Sequence, residues 1–358
     1  MSKTKVYVGM SGGVDSSLTA ALLVEQGYDV TGVYMKNWSQ DLPGVKCPWA
    51  DDLADAKRVA VKLGIDFKVF DFETEYKQKV VDYMIEEYQN GRTPNPDIMC
   101  NQEVKFKLFL ETAIADGADM IATGHYARVE HVCVRESDHN TIGLLKMAVD
   151  TNKDQTYFLY RVTGEALGRT LFPIGEYEKP LVRQMAAERG LATAAKKDSQ
   201  GICFVGQVGI KDFLNMYIDQ IPGNIIDQKT GDILGKHEGA IFYTIGQRHG
   251  LELGGGLPYY VVGKSMEKNE VYVTTDISDG NLWHDEINLS NVHWINGEPK
   301  NSTYQMRIRH RAKLVNVVLG KTDFGVKLKL ENSERAIAPG QSVVIYDGQI
   351  CLGGGIII

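Results

Sequence analysis

The amino-acid sequence predicts an α/β fold in which a doubly wound parallel sheet is followed by a small central domain and a C-terminal β-barrel. Three observations support this prediction. Apolar strand-like runs alternate with helical segments up to about residue 125, which is typical of parallel βαβ units. From about Gly206 the segments become short and strand-like, with glycine, asparagine and aspartate between them. From about Ile287 apolar and polar residues alternate in several runs to the C-terminus, which indicates a small barrel.

The first half supplies the elements of the parallel sheet. Apolar runs predict strands at residues 5–10, 30–35, 67–70 and 120–123, and helical spacing predicts helices at 16–26, 50–63, 73–89 and 105–115. Ligands bind such sheets at the carboxyl ends of the strands, so we expect them at the loops after Met10, Met35 and Thr123. The predicted domains are a catalytic domain at 1–205, a central domain at 206–280 and the barrel at 281–358.

Composition and the N-terminus restrict the class of protein. The 358 residues are 43% hydrophobic and 24% charged, which excludes disordered and fibrous classes. No run reaches the roughly eighteen apolar residues of a membrane-spanning helix. The N-terminus leads directly into the first predicted strand and leaves no room for a signal peptide. We therefore expect a cytoplasmic protein with no membrane partner.

The five cysteines form no Cys-x-x-Cys pair. This argues against zinc ribbons and cysteine-ligated iron–sulfur clusters, so no protein-ligated metal site is predicted. Cys133 and Cys351 lie in apolar strand-like settings and are expected in the core, whereas Cys47 is expected in a surface loop. The remaining two, Cys100 and Cys203, lie in polar loops.

A glycine- and serine-rich loop, residues 9–17, joins the first predicted strand to a helix. Glycines let the backbone approach a phosphate closely, and the free N–H groups of a helix start favour an anion. No Gly-Lys-[Ser/Thr] follows, so the loop is not a Walker A motif. An acidic Asp15 inside an anion site is consistent with a contact to Mg²⁺. The alternative is a glycine turn that caps the helix and binds no ligand.

Two further loops present cysteines. In residues 91–101 two prolines restrict the backbone and place Asp97 and Cys100 near a helix start, where the pKa of a thiol is lowered. In residues 196–204 Lys196 and Lys197 precede Cys203, an electropositive setting that favours a thiolate. The alternative for each is a structural cysteine.

The net charge of −7 argues mildly against a nucleic-acid partner, but one local segment favours it. A period of two predicts one basic strand face and one opposite face. The basic face would carry Arg307, Arg309, Arg311 and Lys313, and the other Ile308, His310, Ala312 and Leu314. Such a stripe suits contacts to a phosphate backbone. The alternative is a solvated strand face.

The string Ser-Gly-Gly-Val-Asp-Ser at residues 11–16 resembles the N-type ATP-pyrophosphatase superfamily, whose members adenylate their substrates. With the other segments included, the chain is similar nearly end to end to bacterial tRNA-specific 2-thiouridylases. The matching segments are residues 9–16, 35–38, 91–100, 122–128, 153–159, 171–175, 196–204, 244–248 and 339–342. Three places depart from the family pattern: Gln200 stands where threonine is usual, His310 where tyrosine is more common, and residues 39–49 match poorly.

The resemblance implies a role for each matching residue. It implies that Cys100 and Cys203 are the catalytic pair and that Asn95, Pro96 and Asp97 contact the target base, Asp97 also serving as a catalytic acid/base or orienting group. ATP would be bound by Gly9, Met10, Ser11, Gly12, Gly13, Val14, Asp15, Ser16, Met35 and Gly124. Contacts to tRNA would come from His125, Lys153, Asp154, Gln155, Arg309, His310 and Gln341.

The resemblance also implies an adenine nucleotide alpha hydrolase-like fold and a reaction. ATP, with Mg²⁺, would adenylate the C2 oxygen of the wobble uridine of tRNA, and sulfur from a Cys203 persulfide would replace it, leaving a Cys100–Cys203 disulfide. The partners would be tRNA and a persulfide donor, either a cysteine desulfurase or a sulfur relay carrier. Three other classes compete: an amidotransferase or synthetase with the same ATP loop, an iron–sulfur thiolase, and a non-catalytic tRNA-binding protein.

Overall fold

The computed structural model describes residues 3–41, 47–135, 140–197, 209–254, 256–322 and 325–358. The first half contains five parallel strands, which are β1 Lys5–Gly9, β2 Asp29–Lys36, β3 Asp66–Asp71, β4 Met120–Thr123 and β7 Thr170–Leu171. They pair in the order β3-β2-β1-β4-β7, and every pair is parallel. The predicted parallel sheet is therefore confirmed.

Helices cover both faces of this sheet. They are α1 Val14–Glu25, α2 Trp49–Leu63, α3 Glu73–Tyr76, α4 Asp82–Gln89, α5 Pro96–Met99, α6 Phe109–Ala115, α7 Thr156–Leu159, α8 Gly164–Gly168 and α9 Lys179–Glu188. Successive residues of β1 point to opposite faces: Tyr7 joins a core with α4 and α6, and Val6 and Val8 join a core with α1, α2 and α9. Because both faces of the sheet are buried, its strands have continuous apolar sequences rather than alternating ones.

Two predicted helices differ in detail from the structure. The predicted helix 73–89 contains a π-helical turn, Lys77–Val81, between α3 and α4. The predicted helix 105–115 begins earlier, at Pro96, and runs through a π-helical segment, Cys100–Leu108, into α6. Periodicity missed this start because an i→i+5 segment does not follow the 3.6-residue repeat. Such segments are frequent at functional sites, and here one begins at Cys100.

The sheet order places a ligand crevice between β1 and β4. β2 and β3 lie on one side of β1, and β4 lies on the other. Chains leaving the carboxyl ends of β1 and β4 therefore diverge, which opens a crevice at the switch point. Gly9 lies beside Thr123 in the pairing register, so the loops that follow these residues are neighbours.

The second half is β-rich, as predicted. After α10 Ile210–Leu214, a four-stranded sheet contains β8 Gly223–Asp227, β9 Ile233–His237, β10 Tyr260–Ser265 and β11 Glu270–Thr274, in the order β10-β11-β8-β9. Short 3₁₀ turns lie at Ala240–Phe242 and Gly280–Leu282. This central sheet buries Ile225, Val261, Val271 and Val273 in a core of its own.

Six antiparallel strands then close into a barrel. They are β12 Trp283–Trp294, β13 Thr303–Arg307, β14 Val315–Thr322, β15 Gly325–Arg335, β16 Ser342–Asp347 and β17 Ile350–Ile357. The order β12-β15-β14-β13-β16-β17 is closed by pairing of β12 with β17, so the predicted barrel is confirmed. A hairpin of β5 Ala127–Arg135 and β6 Asn140–Met147 adds to it where Ile350 pairs with Lys146.

Three predictions about single residues or segments were wrong. β13 ends at Arg307 and Arg311 adopts φ +65°, so residues 307–313 do not form one basic strand face. Cys133 is exposed, because its strand belongs to the hairpin added outside the barrel. Cys47 is buried rather than on the surface, because it packs in the same core as Trp38. The buried position of Cys351 is as predicted.

Among the residues that the structure describes, no helix is both long and apolar enough to cross a membrane.

Candidate active site

The loop between β1 and α1 requires a glycine at residue 12. Gly12 adopts φ +73°, and a Cβ there would lie 2.3 Å from the carbonyl oxygen of Asp52. Ser16 and Ser17 donate through Oγ to the carbonyl of Gly13, at 3.2 and 2.7 Å. Gly13 is the N-cap of α1 and has no side chain to satisfy the first N–H groups of that helix. The serines therefore brace the loop, and the helix start is left to attract an anion.

The turn after β4 completes this site. A Cβ at Gly124 would lie 2.7 Å from the backbone nitrogen of Ser16 and 2.8 Å from the carbonyl carbon of Asp15, so only glycine fits. A cavity of about 280 Å³ opens here. Seven of the ten residues expected to bind ATP line it together: Gly9, Met10, Ser11, Asp15, Ser16, Met35 and Gly124. Gly12, Gly13 and Val14 form the loop itself.

Lys179 is a residue of this site that the sequence reasoning missed. Its ammonium donates to both carboxylate oxygens of Asp15, at 2.7 and 2.8 Å, and its side chain is 10% exposed. The hydroxyl of Tyr126 donates to the same carboxylate at 2.9 Å. Lys179 is the first residue of α9, where a cation is disfavoured by the helix dipole. That unusual placement was the available signal, although the partner lies 164 residues away.

The site offers only a partial set of ligands to a metal ion. Within the described ranges no group of three His, Cys, Asp or Glu side chains could hold one. Mg²⁺ is commonly held by one or two carboxylates together with substrate phosphates. Asp15, which lines the cavity beside the anion-binding helix start, fits that pattern as one carboxylate ligand, which a metal ion would share with Lys179 because the ammonium donates to both oxygens.

His125 lies on the wall of the same cavity and is neutral. Its Nδ1 lies 2.8 Å from the hydroxyl of Thr123, and its ring packs against Phe106 and Phe172. Burial, with a smaller effect from Lys105, holds the pKa of His125 well below its usual range. A neutral imidazole in this position can hydrogen-bond or stack on a base, but it carries no charge for a phosphate.

Cys47 lines the cavity as well. Its backbone N–H donates to Asp41 at 2.9 Å. Burial raises the pKa of its thiol, with a smaller contribution from the charge of Asp41. The thiol is therefore kept protonated, which does not favour the metal or thiolate chemistry that a cysteine in a nucleotide cavity could otherwise perform.

The loop before α5 has the rigid form that its prolines predict. Asn95 is the N-cap of α5, and its Oδ1 accepts from the N–H groups of Asp97 and Ile98 at 3.1 and 3.3 Å. Pro96 takes the first helical position, which suits a residue without an N–H. Asp97 is half-buried, and Cys100 is 1% exposed at the start of the π-helical segment. The cap and Pro96 thus fix where Asp97 and Cys100 lie.

The segment that leads to Cys203 is described as far as Lys197, and Cys203 itself lies outside the described residues. The ammonium of Lys196 donates to Asp52 and Asp55, at 2.7 Å each. Burial alone would lower the pKa of Lys196, but these two hydrogen bonds raise it overall. The charge of Lys196 is therefore compensated by two carboxylates of α2.

Three models of protein domains match this chain in succession. The one described as tRNA methyl transferase HUP domain matches residues 4–207, the tRNA methyl transferase PRC-barrel domain matches 211–275, and the aminomethyltransferase beta-barrel domain matches 284–357. The tRNA-specific 2-thiouridylase MnmA of Bacillus thuringiensis (strain Al Hakam) is 47% identical over 99% of this chain and 95% of its own length. The protein of the same name from Bacillus mycoides (strain KBAB4) is 48% identical with the same coverage. The chain belongs to the tRNA-specific 2-thiouridylase family.

The tRNA contacts expected for this family fall into two groups. Asp154 is 1% exposed, and its Oδ2 accepts from Nη1 of Arg307 at 2.8 Å, so both side chains join the catalytic domain to the barrel. Each of these two side chains is therefore the other's partner at the interface, and the contact to tRNA expected of Asp154 stays a prediction. The same interface contains His310, whose Nε2 lies 3.0 Å from the carbonyl of Asp154 and whose ring packs against that of Phe158 at an interplanar angle of 53°.

The other expected contacts remain at or near the surface. Arg309 is exposed and donates to the carbonyl of Ala336. Gln341 and Lys153 are half-buried. Gln155 lines the nucleotide cavity and accepts from the N–H of Tyr126 at 2.8 Å. The structure thus brings Gln155 and His125 to the cavity beside the loop of residues 9–16 and leaves Arg309 and Gln341 on the barrel.

Proposed function

We propose that this chain catalyses the ATP-dependent 2-thiolation of the wobble uridine of tRNA, as a cytoplasmic sulfurtransferase. The observation that carries the proposal is the full-length identity of 47% to relatives named tRNA-specific 2-thiouridylase. The loop of residues 9–16, the capped turn at Asn95 and the buried Cys100 support the proposal.

In this proposal the loop binds the phosphates of ATP. The N–H groups at the start of α1 hold them, and Gly12 and Gly124 let the backbone come close. Asp15 would hold Mg²⁺ jointly with the phosphates, and the ion would offset negative charge on the pyrophosphate as it leaves. Lys179 keeps Asp15 in place and compensates its charge, so that an anion can bind beside a carboxylate.

The chemical step replaces a poor leaving group by a good one. The C2 oxygen of uridine attacks the α-phosphorus of ATP and pyrophosphate leaves. The terminal sulfur of a Cys203 persulfide then attacks C2, and AMP departs with the former C2 oxygen. Cys100 attacks the remaining linkage at the sulfur of Cys203, which releases 2-thiouridine and forms a Cys100–Cys203 disulfide. Release of hydrosulfide before the attack on C2 is the variant route.

Two partners follow from this scheme. After each turnover the disulfide must be reduced to two thiols, with the electrons supplied by an external thiol reductant. The Cys203 persulfide must then be restored by a protein that donates persulfide sulfur, either a cysteine desulfurase or a relay carrier. The tRNA must present its wobble base outside the anticodon stack. Asn95, Pro96 and Asp97 would receive that base, with Asp97 moving or orienting a proton. Contacts to the tRNA would come from His125, Lys153, Asp154, Gln155, Arg309, His310 and Gln341.

One incubation tests the proposal. The protein is mixed with ATP, Mg²⁺, a sulfide source and unmodified tRNA, and the products are separated by chromatography and mass spectrometry. We expect AMP, pyrophosphate and 2-thiouridine in equal amounts. Formation of AMP with an aminated base would instead indicate an amidotransferase, and tRNA binding without AMP would indicate a binding protein.

A further inference from the structure

The loop of residues 91–95, which leads to Asp97 and Cys100, is bonded to residues of all three domains. Residues 91–95 connect α4 to the Asn95 cap of α5. Its own domain fixes one end, where the guanidinium of Arg92 is paired with Glu87. The middle of the loop, however, is bonded to residues of the central domain and of the barrel.

Thr93 makes both of these bonds. Its Oγ1 lies 3.0 Å from Oγ1 of Thr244 in the central domain. Its backbone N–H donates to the carbonyl of Pro339, which precedes β16 of the barrel, at 3.0 Å. We call these three residues, Thr93, Thr244 and Pro339, the Thr93 junction. It lies two residues before Asn95, whose side chain sets the position of Asp97.

Two glycines show how closely the parts meet. A Cβ at Gly340 would lie 2.6 Å from the backbone nitrogen of Thr93 and 2.7 Å from Cβ of Arg92. A Cβ at Gly246, two residues after Thr244, would lie 2.1 Å from Cβ of Ala336 in the barrel. Since these neighbours are backbone or Cβ atoms, neither position accepts a side chain unless the domains shift.

The barrel residues expected to contact tRNA adjoin this junction. Gln341 follows Gly340 directly, and its N–H donates to the carbonyl of Ala338 at 3.2 Å. Arg309 donates to the carbonyl of Ala336, the residue that packs on Gly246. Short contacts thus connect these two residues to Thr93, through Gly340 on one side and through Ala336, Gly246 and Thr244 on the other.

We infer that Thr93, Thr244 and Gly340 are positioning residues. Through them the central domain and the barrel fix the position of the loop of residues 91–95, and so align Asp97 and Cys100 with a tRNA docked on the barrel. The inference deepens the proposed function and rests on it for its kinetic readout. None of the three residues is required to touch the reacting atoms. Their effect is on the placement of Asp97 and Cys100, so kcat should respond while tRNA affinity does not.

A pair of barrel variants separates this role from simple folding. Gly340→Ala forces the catalytic loop away from its present position. Gly348→Ala is the matched control, because Gly348 also has positive φ (+56°) but a Cβ there would meet nothing within 4 Å. A misplacement of about 1 Å costs on the order of 100-fold in rate, so we expect kcat to fall by about that factor in Gly340→Ala, with the Kd for tRNA within about twofold of wild type. Gly348→Ala should stay near wild type in both.

The hydroxyl pair provides a second, gentler test. Thr93→Val and Thr244→Val should each lower kcat about fivefold, the effect of losing one hydrogen bond. The double variant should be no slower than either single variant, because the same bond is lost. Thr93→Ser and Thr244→Ser keep the hydroxyl and should restore the rate. Thr303→Val is the control, because Thr303 is the exposed first residue of β13.

Amide hydrogen exchange over residues 91–100 gives a readout that does not depend on thiolation. We expect faster exchange there in Gly340→Ala but not in Gly348→Ala. Equal exchange and equal kcat in the two variants would overturn the inference, as would a loss of kcat that is matched by loss of tRNA affinity. If wild type makes no 2-thiouridine while the exchange difference is present, the proposed function fails and the positioning of the loop stands.

Discussion

Replacing Arg307 by methionine is the sharpest test of the interface between the catalytic domain and the barrel. The substitution removes the 2.8 Å bond from Nη1 to Oδ2 of Asp154, in a pair whose side chains are 10% and 1% exposed. It also removes the guanidinium that lies 5.4 Å from the ring centre of Tyr346. The variant therefore leaves a carboxylate in the interior without its counter-ion.

The expected cost follows from what remains on that carboxylate. Breaking a buried ion pair by removing one partner costs about 3–5 kcal/mol. The hydroxyl of Thr156 and the N–H of Ala148 still donate to Asp154, so we expect the lower end, about 3 kcal/mol. For a cooperatively unfolding domain of about 150–250 residues, this free energy corresponds to a fall in Tm of about 6–12 °C. Replacing Asp154 by asparagine as well should recover part of the loss, because no charge is then left unpaired.

Thermal unfolding and the salt dependence of tRNA binding measure the two sides of this prediction. Arg311→Met is the control, since Arg311 is exposed on the segment after β13. We expect Arg307→Met to lower Tm and to leave unchanged the slope of log Kd for tRNA against log salt concentration. Arg311→Met should leave Tm unchanged and reduce the magnitude of that slope by about one. A normal Tm with a reduced slope in Arg307→Met would refute the interface role and restore Arg307 to the tRNA surface.

Three further predictions concern the nucleotide site, the thiols and a half-buried lysine. Lys179→Met leaves the carboxylate of Asp15 uncompensated beside the phosphates and should weaken ATP binding about tenfold, with Lys179→Arg retaining more affinity, as measured by calorimetry. Cys100→Ser and Cys203→Ser should each abolish thiolation, while Cys203→Ser still forms AMP–tRNA adduct and pyrophosphate; wild-type rates in either would exclude the paired-thiol scheme. Burial lowers the pKa of Lys264 to about 8, so the unfolded chain holds more protons than the folded one above that pH and stability should rise as pH increases from 8 towards 10. Lys264→Met should therefore have a higher urea midpoint than wild type at pH 7.5, with a smaller difference at pH 9.5; a constant difference would contradict this.

Much of the fold could be predicted because its signals are local. Apolar runs mark the strands of the parallel sheet. The glycines and serines close together in residues 9–16 predict an anion-binding loop. What was missed depends on contacts between distant parts of the chain. Lys179 meets Asp15 across 164 residues and Arg307 meets Asp154 across 153. A period of two also predicted a basic stripe where β13 had already ended.

The two cysteine errors have the same origin. Val-Cys-Val around Cys133 has the local pattern of a core strand, but its hairpin is attached to the outside of a closed barrel. Cys47 follows a segment of loop composition, but it packs in the same core as Trp38. In both cases burial is decided by which element packs on the strand or loop, and the local sequence carries no information about that partner.

The fate of the C2 oxygen of the wobble uridine tests the central claim most directly. A tRNA labelled with ¹⁸O at that position is incubated with the protein, ATP, Mg²⁺ and a sulfide source, and the nucleotide products are analysed by mass spectrometry. Because AMP is proposed to leave with the former C2 oxygen, we predict one ¹⁸O in the phosphate of AMP for each 2-thiouridine formed. Label in inorganic phosphate or in water, with unlabelled AMP, would contradict adenylation of the uridine oxygen.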